Sequence, residues 1–508
     1  MNLSANKLHL KSVGYEALIK RYQIDVISNW HRSFIASSNT RRIDTSAGVI
    51  EEVYPSVYWP GDTPGDHLEF ALKYDGANLA ILHELFKAIT PDDLIEYISS
   101  RITGKYARRV WFLYEVLTEK KLPLDDLDQG NYIDLLDPDE YYTVKNKTRI
   151  SRQRINNNLP GDDKFCPLIR RTELLRDFEN MNLPRKCREV TSEYSPEILK
   201  RAMSYLYTKE TKSSFEIEHV HPSSTRTERF IALLRQAESE DFCDKEHFIE
   251  LQNFIVDDRF QQSDYRKSQN YIGETLSLEK EKIHYISPKP EDVHDLMAGL
   301  VNAHERMKKD NIHPVIHAAA ISYGFVFFHP FEDGNGRIHR FIIHNILARH
   351  GFTPEGMIFP ISAYMLKNRK DYDASLEEFS RKVMKHVEYS LEENGRMTVH
   401  NETASLYRYM DMTSQAEALF KFIKETIETE FAEELAFLSS YDEIKKKIRK
   451  IVDMPDRKTD LFIRFCLQNK GVLSDKKRSS HFDFLTDEEV EKLEKAVAET
   501  AEKRGMIK

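Results

Sequence analysis

The sequence predicts a mainly α-helical protein built from several domains. At 508 residues the chain is too long for one compact core, since a domain usually contains ~150 residues. Charged residues make up 31% and hydrophobic residues 40% of the chain, and only 18 glycines and 18 prolines interrupt it. Together with stretches of apolar residues at helical spacing, this composition is typical of a globular protein rich in helix.

Charge and hydropathy exclude several classes of partner. The formal net charge of -9 gives no overall attraction to nucleic acid or to an anionic membrane surface. No segment approaches the ~18 apolar residues needed to cross a bilayer, and the first ten residues lack the apolar core of a signal peptide. We therefore expect a cytoplasmic protein without a membrane partner. The cysteines form no Cys-x-x-Cys pair, so we expect reduced thiols at Cys166, Cys187, Cys243 and Cys466.

Residues 1–194 are predicted to form an N-terminal accessory domain. Helical spacing occurs at residues 15–30, 78–86, 92–102 and 106–117, with irregular segments between them. A short run of basic residues at 145–154 is interpreted as a solvated surface rather than a nucleic-acid contact.

Residues 195–395 are predicted to form the catalytic domain. Ser195 precedes Pro196, and serine at the N-cap with proline at the first helical position predicts a helix through Tyr207. Two further helix starts follow, at Pro290 and just after Gly336. The residues suited to chemistry are densest in this stretch.

Residues 396–508 are predicted to form a helical C-terminal extension. Ser414 and Glu417 fit a capping box ahead of an apolar stripe from Leu419 to Leu438, which indicates a long amphipathic helix. Such a stripe is typical of a core or a dimer face. Another helix is predicted at 459–468, and a Thr486/Glu489 capping box opens a further one. A winged-helix-like unit is one interpretation of this tail.

Residues 329–340 combine several groups suited to phosphoryl chemistry. Gly334, Asn335 and Gly336 form a loop whose backbone can approach a ligand closely. The helix predicted after this loop presents its free N–H groups and the positive end of its dipole to phosphate. Phe331 is expected to anchor the loop in the core.

Charged side chains complete the segment. Arg337 and Arg340 are three residues apart, so both emerge on one face of the first helical turn, where guanidinium groups can bind phosphate oxygens. Asp333 offers a carboxylate oxygen for Mg²⁺ directly before the glycines. His329 ends an apolar helix predicted at 318–328 and can accept a proton near neutral pH.

The segment resembles the signature of the Fic family, His-x-Phe-x-Asp/Glu-Gly-Asn-Gly-Arg-x-x-Arg, and fills every specified position. The resemblance implies a helical Fic core acting as a nucleotidyltransferase, which moves AMP from ATP onto a protein hydroxyl. It assigns the general base to His329, the Mg²⁺ ligand to Asp333, the phosphate nest to Gly334, Asn335 and Gly336, and the distal phosphates to Arg337 and Arg340. The intact Gly-Asn-Gly loop favours AMP over other transferred groups.

An inhibitory segment is implied by a second resemblance, N-terminal to the Fic core. The stretch from Ser214 to Glu218 is similar to the family pattern Ser/Thr-x-x-x-Glu-Gly/Asn, with His219 in the last position. The resemblance implies that Glu218 pairs with Arg340 and restrains ATP binding. The residues alone leave another interpretation open, in which Glu218 is one more charge at a helix end.

The implied partners are ATP and a target protein. Residues 265–273 and 282–288 resemble the segment leading into the family's flap, a short β-hairpin that docks the target by strand addition between Lys282 and Ser287. The region from Ser362 to Tyr372 resembles the part of the family that packs near adenine. The long amphipathic helix and family habit both permit a homodimer.

Three functions stay open from the sequence. The first is a protein adenylyltransferase that modifies a target or itself and is restrained by Glu218. The second is a deAMPylase in which Glu218 positions water. The third is a non-catalytic regulator that senses ATP and binds nucleic acid through its C-terminal helices, which the acidic net charge argues against. His313 and His317 have helical spacing but lack a third ligand, so we do not predict a zinc site.

Overall fold

A computed structural model of the chain describes residues 10–37, 41–46, 48–277 and 280–503. Helices dominate, which confirms the mainly α class. By their contacts the residues fall into two compact units. The first unit comprises Met1–Asp177, Glu240–His350 and Lys370–Phe420, and the second comprises Phe178–Ser239, Gly351–Arg369 and Lys421–Lys508. The boundaries near residues 195 and 396 remain predictions.

The α-helices extend through the described part of the chain from Gly14 to Lys503. In order they are α1 (Gly14–Tyr22), α2 (Pro64–Phe70), α3 (Leu79–Ala88), α4 (Pro91–Ser100), α5 (Lys105–Thr118), α6 (Glu173–Asn180), α7 (Leu183–Ser192), α8 (Pro196–Ile217), α9 (Ser224–Gln236), α10 (Lys245–Ile255), α11 (Pro290–Lys309), α12 (Pro314–Phe328), α13 (Asn335–Arg349), α14 (Ile361–Lys367), α15 (Arg369–Val383), α16 (Ala404–Arg408), α17 (Thr413–Thr426), α18 (Ala432–Ile451), α19 (Asp456–Gln468), α20 (Asp475–His481) and α21 (Asp487–Lys503). No helix in the described part of the chain is both long and apolar enough to span a bilayer.

Among the described residues the strands are short and form four small sheets. They are β1 (Lys11–Val13), β2 (His31–Ala36), β3 (Arg42–Ser46), β4 (Val49–Pro55), β5 (Ile133–Asp134), β6 (Thr148–Ile150), β7 (Ile155–Asn157), β8 (Tyr271–Ser277), β9 (Lys280–Ile286), β10 (Tyr389–Leu391) and β11 (Met397–Val399). Their sheet orders are β1-β2-β4-β3, β5-β7-β6, β8-β9 and β10-β11. Of these sheets only the β8-β9 hairpin was expected.

The four-stranded sheet of the first unit was missed by the sequence. Its strands β2 and β4 run parallel, while β1 pairs with β2 and β3 pairs with β4 in antiparallel register. Buried residues do not alternate regularly with exposed ones along β2 or β4, so neither strand carries the period-two pattern of a half-buried strand. Residues 23–30, where helix was expected to continue, are not helical in the structure.

Each unit has its own apolar core. In the first unit, Leu82, Leu85, Val110, Trp111 and Leu113 are at most 1% exposed and belong to one cluster that α3 and α5 share with neighbouring segments. The core of the second unit includes residues from α18, α19 and α21. The extension expected at 396–508 is mostly helical among its described residues, although β11 lies near its start, and residues 421–503 contain no strand that could form the wing of a winged helix.

The helix α8 continues past its expected end at Tyr207. It begins at Pro196, where Ser195 caps it by accepting a hydrogen bond from the Ile198 N–H, and it ends only at Ile217. Residues 208–217 contain no glycine or proline, so nothing in the sequence stops the helix there.

The predicted amphipathic helix is interrupted by a wider turn. A π-helical segment, Ile427–Phe431, lies between α17 and α18. The apolar residues Leu419, Ile423, Ile427, Phe431 and Leu435 recur every fourth position and are all buried. An α-helix has 3.6 residues per turn, so apolar residues spaced four apart drift gradually around its surface. A π turn contains more residues, and it therefore returns the apolar stripe to one face of the helix.

Two helices of the first unit frame the segment singled out above. The helix α12 is buried on all sides after its first residue, which identifies it as a core helix. It packs against α11 and against α13. The connection from α12 to α13 spans residues 329–334. The segment predicted to carry phosphoryl chemistry therefore begins where these two buried helices are joined.

Candidate active site

His329 ends α12 in a left-handed backbone conformation, with φ of 49° and ψ of 57°. Its N–H donates to the Phe325 carbonyl at 3.0 Å, which holds this uncommon conformation for a non-glycine residue. The Nδ1 atom lies 3.2 Å from the Val326 carbonyl oxygen. Because a carbonyl only accepts, Nδ1 carries the proton and the lone pair of the neutral ring is on Nε2. The local fold thus selects the atom that can act as a base.

A buried arginine outside the motif holds the backbone of this turn. Arg266 donates from Nε to the carbonyl oxygen of His329 at 2.8 Å, from Nη1 to that of Ser268 at 2.8 Å and from Nη2 to that of Pro288 at 2.6 Å. Its own N–H donates to the Pro330 carbonyl at 2.8 Å. Burial lowers the pKa of Arg266 to about 10, because removal from water penalises the charged form. Sequence reasoning missed this role, since no local pattern distinguishes Arg266.

Asn335 closes the loop that follows His329. Its Oδ1 accepts from the Phe331 N–H at 3.0 Å, and its Nδ2 donates to the Phe331 carbonyl at 2.7 Å. The Phe331 ring is fully buried, as expected for an anchor. Asn335, which is expected to belong to the phosphate nest, therefore also closes the loop through its side chain.

Asp333 lies at the mouth of the loop with about half of its side chain exposed (51%). Its Oδ1 accepts from the Gly334 N–H and from Arg337 Nη2, both at 2.6 Å. Arg337 also donates to the Ile255 carbonyl at 3.3 Å and is 1% exposed. The arrangement brings together the expected metal ligand and one expected phosphate-binding arginine.

Gly334 forms the N-cap of α13 with a φ of 96°. This conformation is strained for any residue with a Cβ, and a Cβ here would also lie 3.2 Å from Cγ1 of Val256. The helix starts at Asn335, two positions earlier than expected, so Asn335, Gly336 and Arg337 form its first turn. Backbone N–H groups of a first helical turn have no carbonyl partner inside the helix and suit an anion.

Arg340 lies one turn further along α13 and is 1% exposed. Its Nη1 donates to the Tyr372 hydroxyl at 3.3 Å. The carbonyl of Tyr372 accepts from Ser375 Oγ at 2.6 Å, and Ser375 Oγ lies 2.9 Å from the Tyr323 hydroxyl. Tyr372, which the sequence associated with adenine, thus contacts the second arginine.

The expected flap is present as the hairpin β8-β9. Its register pairs Tyr271 with Ile286, and a bulge follows Ile272. The two strands form a sheet of their own among the described residues, so each keeps one edge without a strand partner there. The Tyr285 hydroxyl donates to the Phe327 carbonyl at 2.6 Å, which ties β9 to the end of α12 near His329. The turn residues 278 and 279 lie outside the described residues.

The expected inhibitory segment belongs to the second unit and forms the end of α8. Ser214 is buried, and Glu218 is exposed as the C-cap residue, with its N–H donating to the Phe215 carbonyl at 3.1 Å. His219 follows with a φ of 55°. A left-handed residue directly after a helix is usually Gly or Asn, which gives a physical reason for Gly/Asn at that position of the pattern.

The two histidines that were considered for zinc, at the N-cap and in the first turn of α12, have other partners. His313 caps the helix by accepting from the Val315 N–H at 3.3 Å. His317 lies 3.0 Å from His304 Nδ1 and 3.0 Å from His350 Nε2 through its two ring nitrogens.

Comparison with known proteins places this site in a family. Residues 242–347 match the model of the Fic/DOC family. The chain is 32% identical over 97 residues to a protein of Drosophila mojavensis named Protein adenylyltransferase Fic, a match covering 19% of this chain and 17% of that protein. It is 31% identical over 119 residues to the protein of the same name in Culex quinquefasciatus, covering 22% of this chain and 21% of that protein. The matches thus span about a fifth of these relatives.

Solved structures of Fic proteins also resemble the chain. A Fic-domain-containing signaling protein of Bacteroides thetaiotaomicron is 17% identical, with a TM-score of 0.39 over 52% of this chain and 97% of that one. A Fic family protein of Desulfovibrio desulfuricans is 16% identical, with a TM-score of 0.35 over 64% of this chain and 86% of that one. From the match of residues 242–347, this chain contains a Fic/DOC family domain, and the segment from His329 to Arg340 lies within it.

Proposed function

We propose that the chain is a protein adenylyltransferase that transfers AMP from ATP to a hydroxyl side chain of a target protein or of itself. The observation that carries the proposal is the clustering of His329, Asp333, Arg337 and the N-terminus of α13 at one helix junction within a Fic/DOC domain. The relatives named Protein adenylyltransferase Fic support the same activity.

The proposed reaction is an in-line displacement at the α-phosphorus. The lone pair on Nε2 of His329 takes the proton of the attacking hydroxyl. The oxygen forms a bond to the α-phosphorus while the bond to the pyrophosphate oxygen breaks, so AMP is attached to the target and pyrophosphate leaves. The protein forms no covalent bond to the transferred group in this scheme. Most of the rate enhancement comes from positioning the reactants and from stabilising charge on the phosphate oxygens.

The phosphate groups are held at the first turn of α13. The N–H groups of Asn335 and Gly336 point toward the end of the helix where an anion binds. Arg337 and Arg340 add guanidinium groups that are already fixed by hydrogen bonds to Asp333 and Tyr372. Preformed donors lower the cost of ordering when the triphosphate binds.

Asp333 fits the role of a Mg²⁺ ligand. Its side chain is 51% exposed, and Oδ1 takes both of its hydrogen bonds. Oδ2 makes none with the described residues, which leaves one hard oxygen for a metal that takes its remaining ligands from phosphate and water. A Mg²⁺ ion there would neutralise charge on the phosphate oxygens.

Incubation with ATP labelled at the α-phosphate tests the activity. We expect label on the protein, or on an added target, that is lost in His329→Ala. His400→Ala is the matched control, because His400 is exposed and its ring hydrogen-bonds only Ser390 among the described residues. The proposal fails if no label is transferred by the wild-type protein or by the Glu218→Gly variant described next.

Glu218 is proposed to restrain the enzyme, on the strength of the pattern at the end of α8 and of its exposed side chain. Glu218→Gly is then expected to increase label transfer. Glu216 is also exposed and lies two residues earlier on the same helix, so Glu216→Gly controls for damage to the helix end. Equal labelling of the two variants would contradict an inhibitory role of Glu218. Release of AMP from a pre-modified protein, lost in Glu218→Gln, would assign the reverse reaction instead.

The target is proposed to dock along β9 between Lys282 and Ser287. Strand addition at an open hairpin edge supplies backbone hydrogen bonds that are independent of the target's sequence. Because Tyr285 ties this strand to the end of α12, a docked segment lies close to His329.

A further inference from the structure

The second unit contains an open groove, which we call the α19 groove. Most of its lining comes from the helices α8, α18 and α19, and all three belong to this unit. Its volume is about 1430 Å³, larger than the ~300–1,000 Å³ of small-molecule sites. Residues 329–340 belong to the first unit, and none of them lines the groove. A groove of this size suits a chain-like ligand better than a compact molecule.

The lining of the groove is strongly cationic. Among the described residues that line it, five are lysine or arginine and one is acidic. The five are Arg201, Lys445, Arg457, Lys458 and Arg464, and the acid is Asp460. The chain as a whole has the opposite balance, with 74 basic and 83 acidic residues. The groove therefore concentrates a positive charge that attracts an anionic ligand.

Two of these cations are available to an added anion. The side chains of Arg457 and Arg464 are exposed and make neither an ion pair nor a hydrogen bond with another described residue. They lie seven positions apart on α19, which is two turns or ~10 Å along its axis, so both emerge on one face. The other three cations already have partners. Arg201 pairs with Asp442, Lys445 pairs with Asp460 at 2.7 Å, and the Lys458 ammonium donates to the His481 carbonyl at 2.7 Å.

Aromatic rings in the same groove are open to solvent. Tyr205 of α8 is 54% exposed and Phe437 of α18 is 41% exposed. The Tyr441 ring lies 6.1 Å from the Phe437 ring, centroid to centroid, so α18 contributes two neighbouring rings to the lining. A cationic groove with exposed rings is the arrangement that binds single-stranded nucleic acid, because bases stack on the rings while phosphates pair with the cations.

We propose that the α19 groove binds single-stranded nucleic acid. Its phosphates pair with Arg457 and Arg464, and its bases stack on Tyr205 and Phe437. Charges farther away than the Debye length of ~8 Å at physiological salt are largely screened, so the net charge of -9 does not prevent binding at a groove with a cationic lining.

Two other anionic partners fit the groove less well. A double helix keeps the faces of its bases inside its own stack, so the exposed rings would gain nothing from it. An acidic peptide can pair with the arginines, but carboxylate side chains offer no flat face to the rings. The binding is independent of the proposed transferase activity, and either can fail without the other.

Fluorescence anisotropy on the full chain tests the proposal, with labelled oligo(dT) and oligo(rU) of ~12 nucleotides, a length within the usual site sizes of such grooves. We expect at least one of them to bind, with affinity falling as salt is raised. Arg457→Ala combined with Arg464→Ala should lower the slope of log affinity against log salt by about 1.4, since each phosphate contact of a single strand contributes ~0.7. Lys446→Ala combined with Lys450→Ala is the control, because both lysines are exposed on α18 and neither lines the groove. The control should leave the slope unchanged.

A ring variant tests the stacking. Phe437→Leu should weaken oligonucleotide binding by about fivefold or more, the loss of one stacked base. Leucine keeps an apolar side chain on α18, so the melting temperature should stay the same, which separates lost binding from lost structure.

The proposal is overturned if neither oligonucleotide binds, if the two double variants change the salt slope alike, or if Phe437→Leu binds as tightly as the wild type. A DNA duplex of the same length and a polyglutamate peptide complete the set of probes. A duplex bound as tightly as the single strands would overturn the proposed stacking. Polyglutamate bound as tightly as the oligonucleotides would assign the groove to an acidic protein partner instead.

Discussion

The Nε atom of Arg266 lies 2.8 Å from the carbonyl oxygen of His329. The same guanidinium donates to the carbonyls of Ser268 and Pro288, so one buried side chain joins the turn after α12 to both ends of the flap. Arg266 never reaches a reacting atom in the proposed mechanism. It is a positioning residue, which acts through the backbone of the base.

Arg266→Lys is expected to lower kcat for AMP transfer by about 10- to 100-fold, the usual effect of misplacing a catalytic group by ~1 Å. Lysine keeps the charge but cannot donate to three carbonyls in a planar fork. The KM for ATP should change little, because the phosphate-binding arginines are untouched. Steady-state kinetics of label transfer measure kcat and the KM for ATP separately. A fall in melting temperature with unchanged kcat would show that Arg266 is only structural.

Gly334→Ala is expected to abolish ATP binding and to lower stability by about 1 kcal/mol or more, because its φ of 96° and the nearby Val256 both oppose a Cβ. Gly351→Ala is the control, since Gly351 has a φ of 61° with open space around it. Both variants should melt earlier, and only Gly334→Ala should lose nucleotide, as followed by calorimetry. Retained binding in Gly334→Ala would contradict a phosphate nest at this turn.

Parts of this fold were predictable because the signals are local. Ser195 and Pro196 start α8 as expected, and the Thr486/Glu489 capping box is present, with the Thr486 N–H donating to Glu489 at 2.8 Å. The continuous apolar run before His329 predicted a buried helix, and α12 is buried. Each of these features depends on residues within one or two turns of each other.

The remaining features depend on contacts between distant segments. Arg266 and His329 are 63 positions apart, and no sequence pattern around Arg266 predicts the hydrogen bond between them. The first unit is assembled from three separated stretches, which a linear division into domains does not anticipate.

His31 is expected to be a major source of stability for the N-terminal sheet. Its ring lies between two buried carboxylates, 3.0 Å from Asp75 and 3.0 Å from Glu52. His31→Ala leaves both acids buried without this hydrogen-bond partner, so we expect a loss of about 1–3 kcal/mol in the free energy of unfolding. Chemical denaturation measures it, with His400→Ala as an exposed control expected to change little. A loss below 1 kcal/mol would contradict this role.

His313 is expected to make the protein less stable in mild acid. Burial lowers the pKa of His313 to about 4, whereas an unfolded histidine titrates near ~6.5. Between these values the unfolded state binds a proton that the folded state does not. Stability therefore falls as the pH drops from 6.5 toward 4, and it is unaffected above 7. A proton on Nδ1 would also remove the acceptor for the Val315 N–H.

His313→Asn isolates this contribution, because asparagine keeps an N-cap acceptor and does not titrate. Other buried histidines, including His317, titrate in both proteins, so only the difference between them is informative. At pH 5 we expect the wild type to lose about 1–2 kcal/mol more stability, relative to pH 7, than the variant does. Melting temperatures across this range measure the difference, with His400→Asn as a control that should follow the wild type. Parallel curves for wild type and His313→Asn would mean that His313 titrates alike in the folded and unfolded chain.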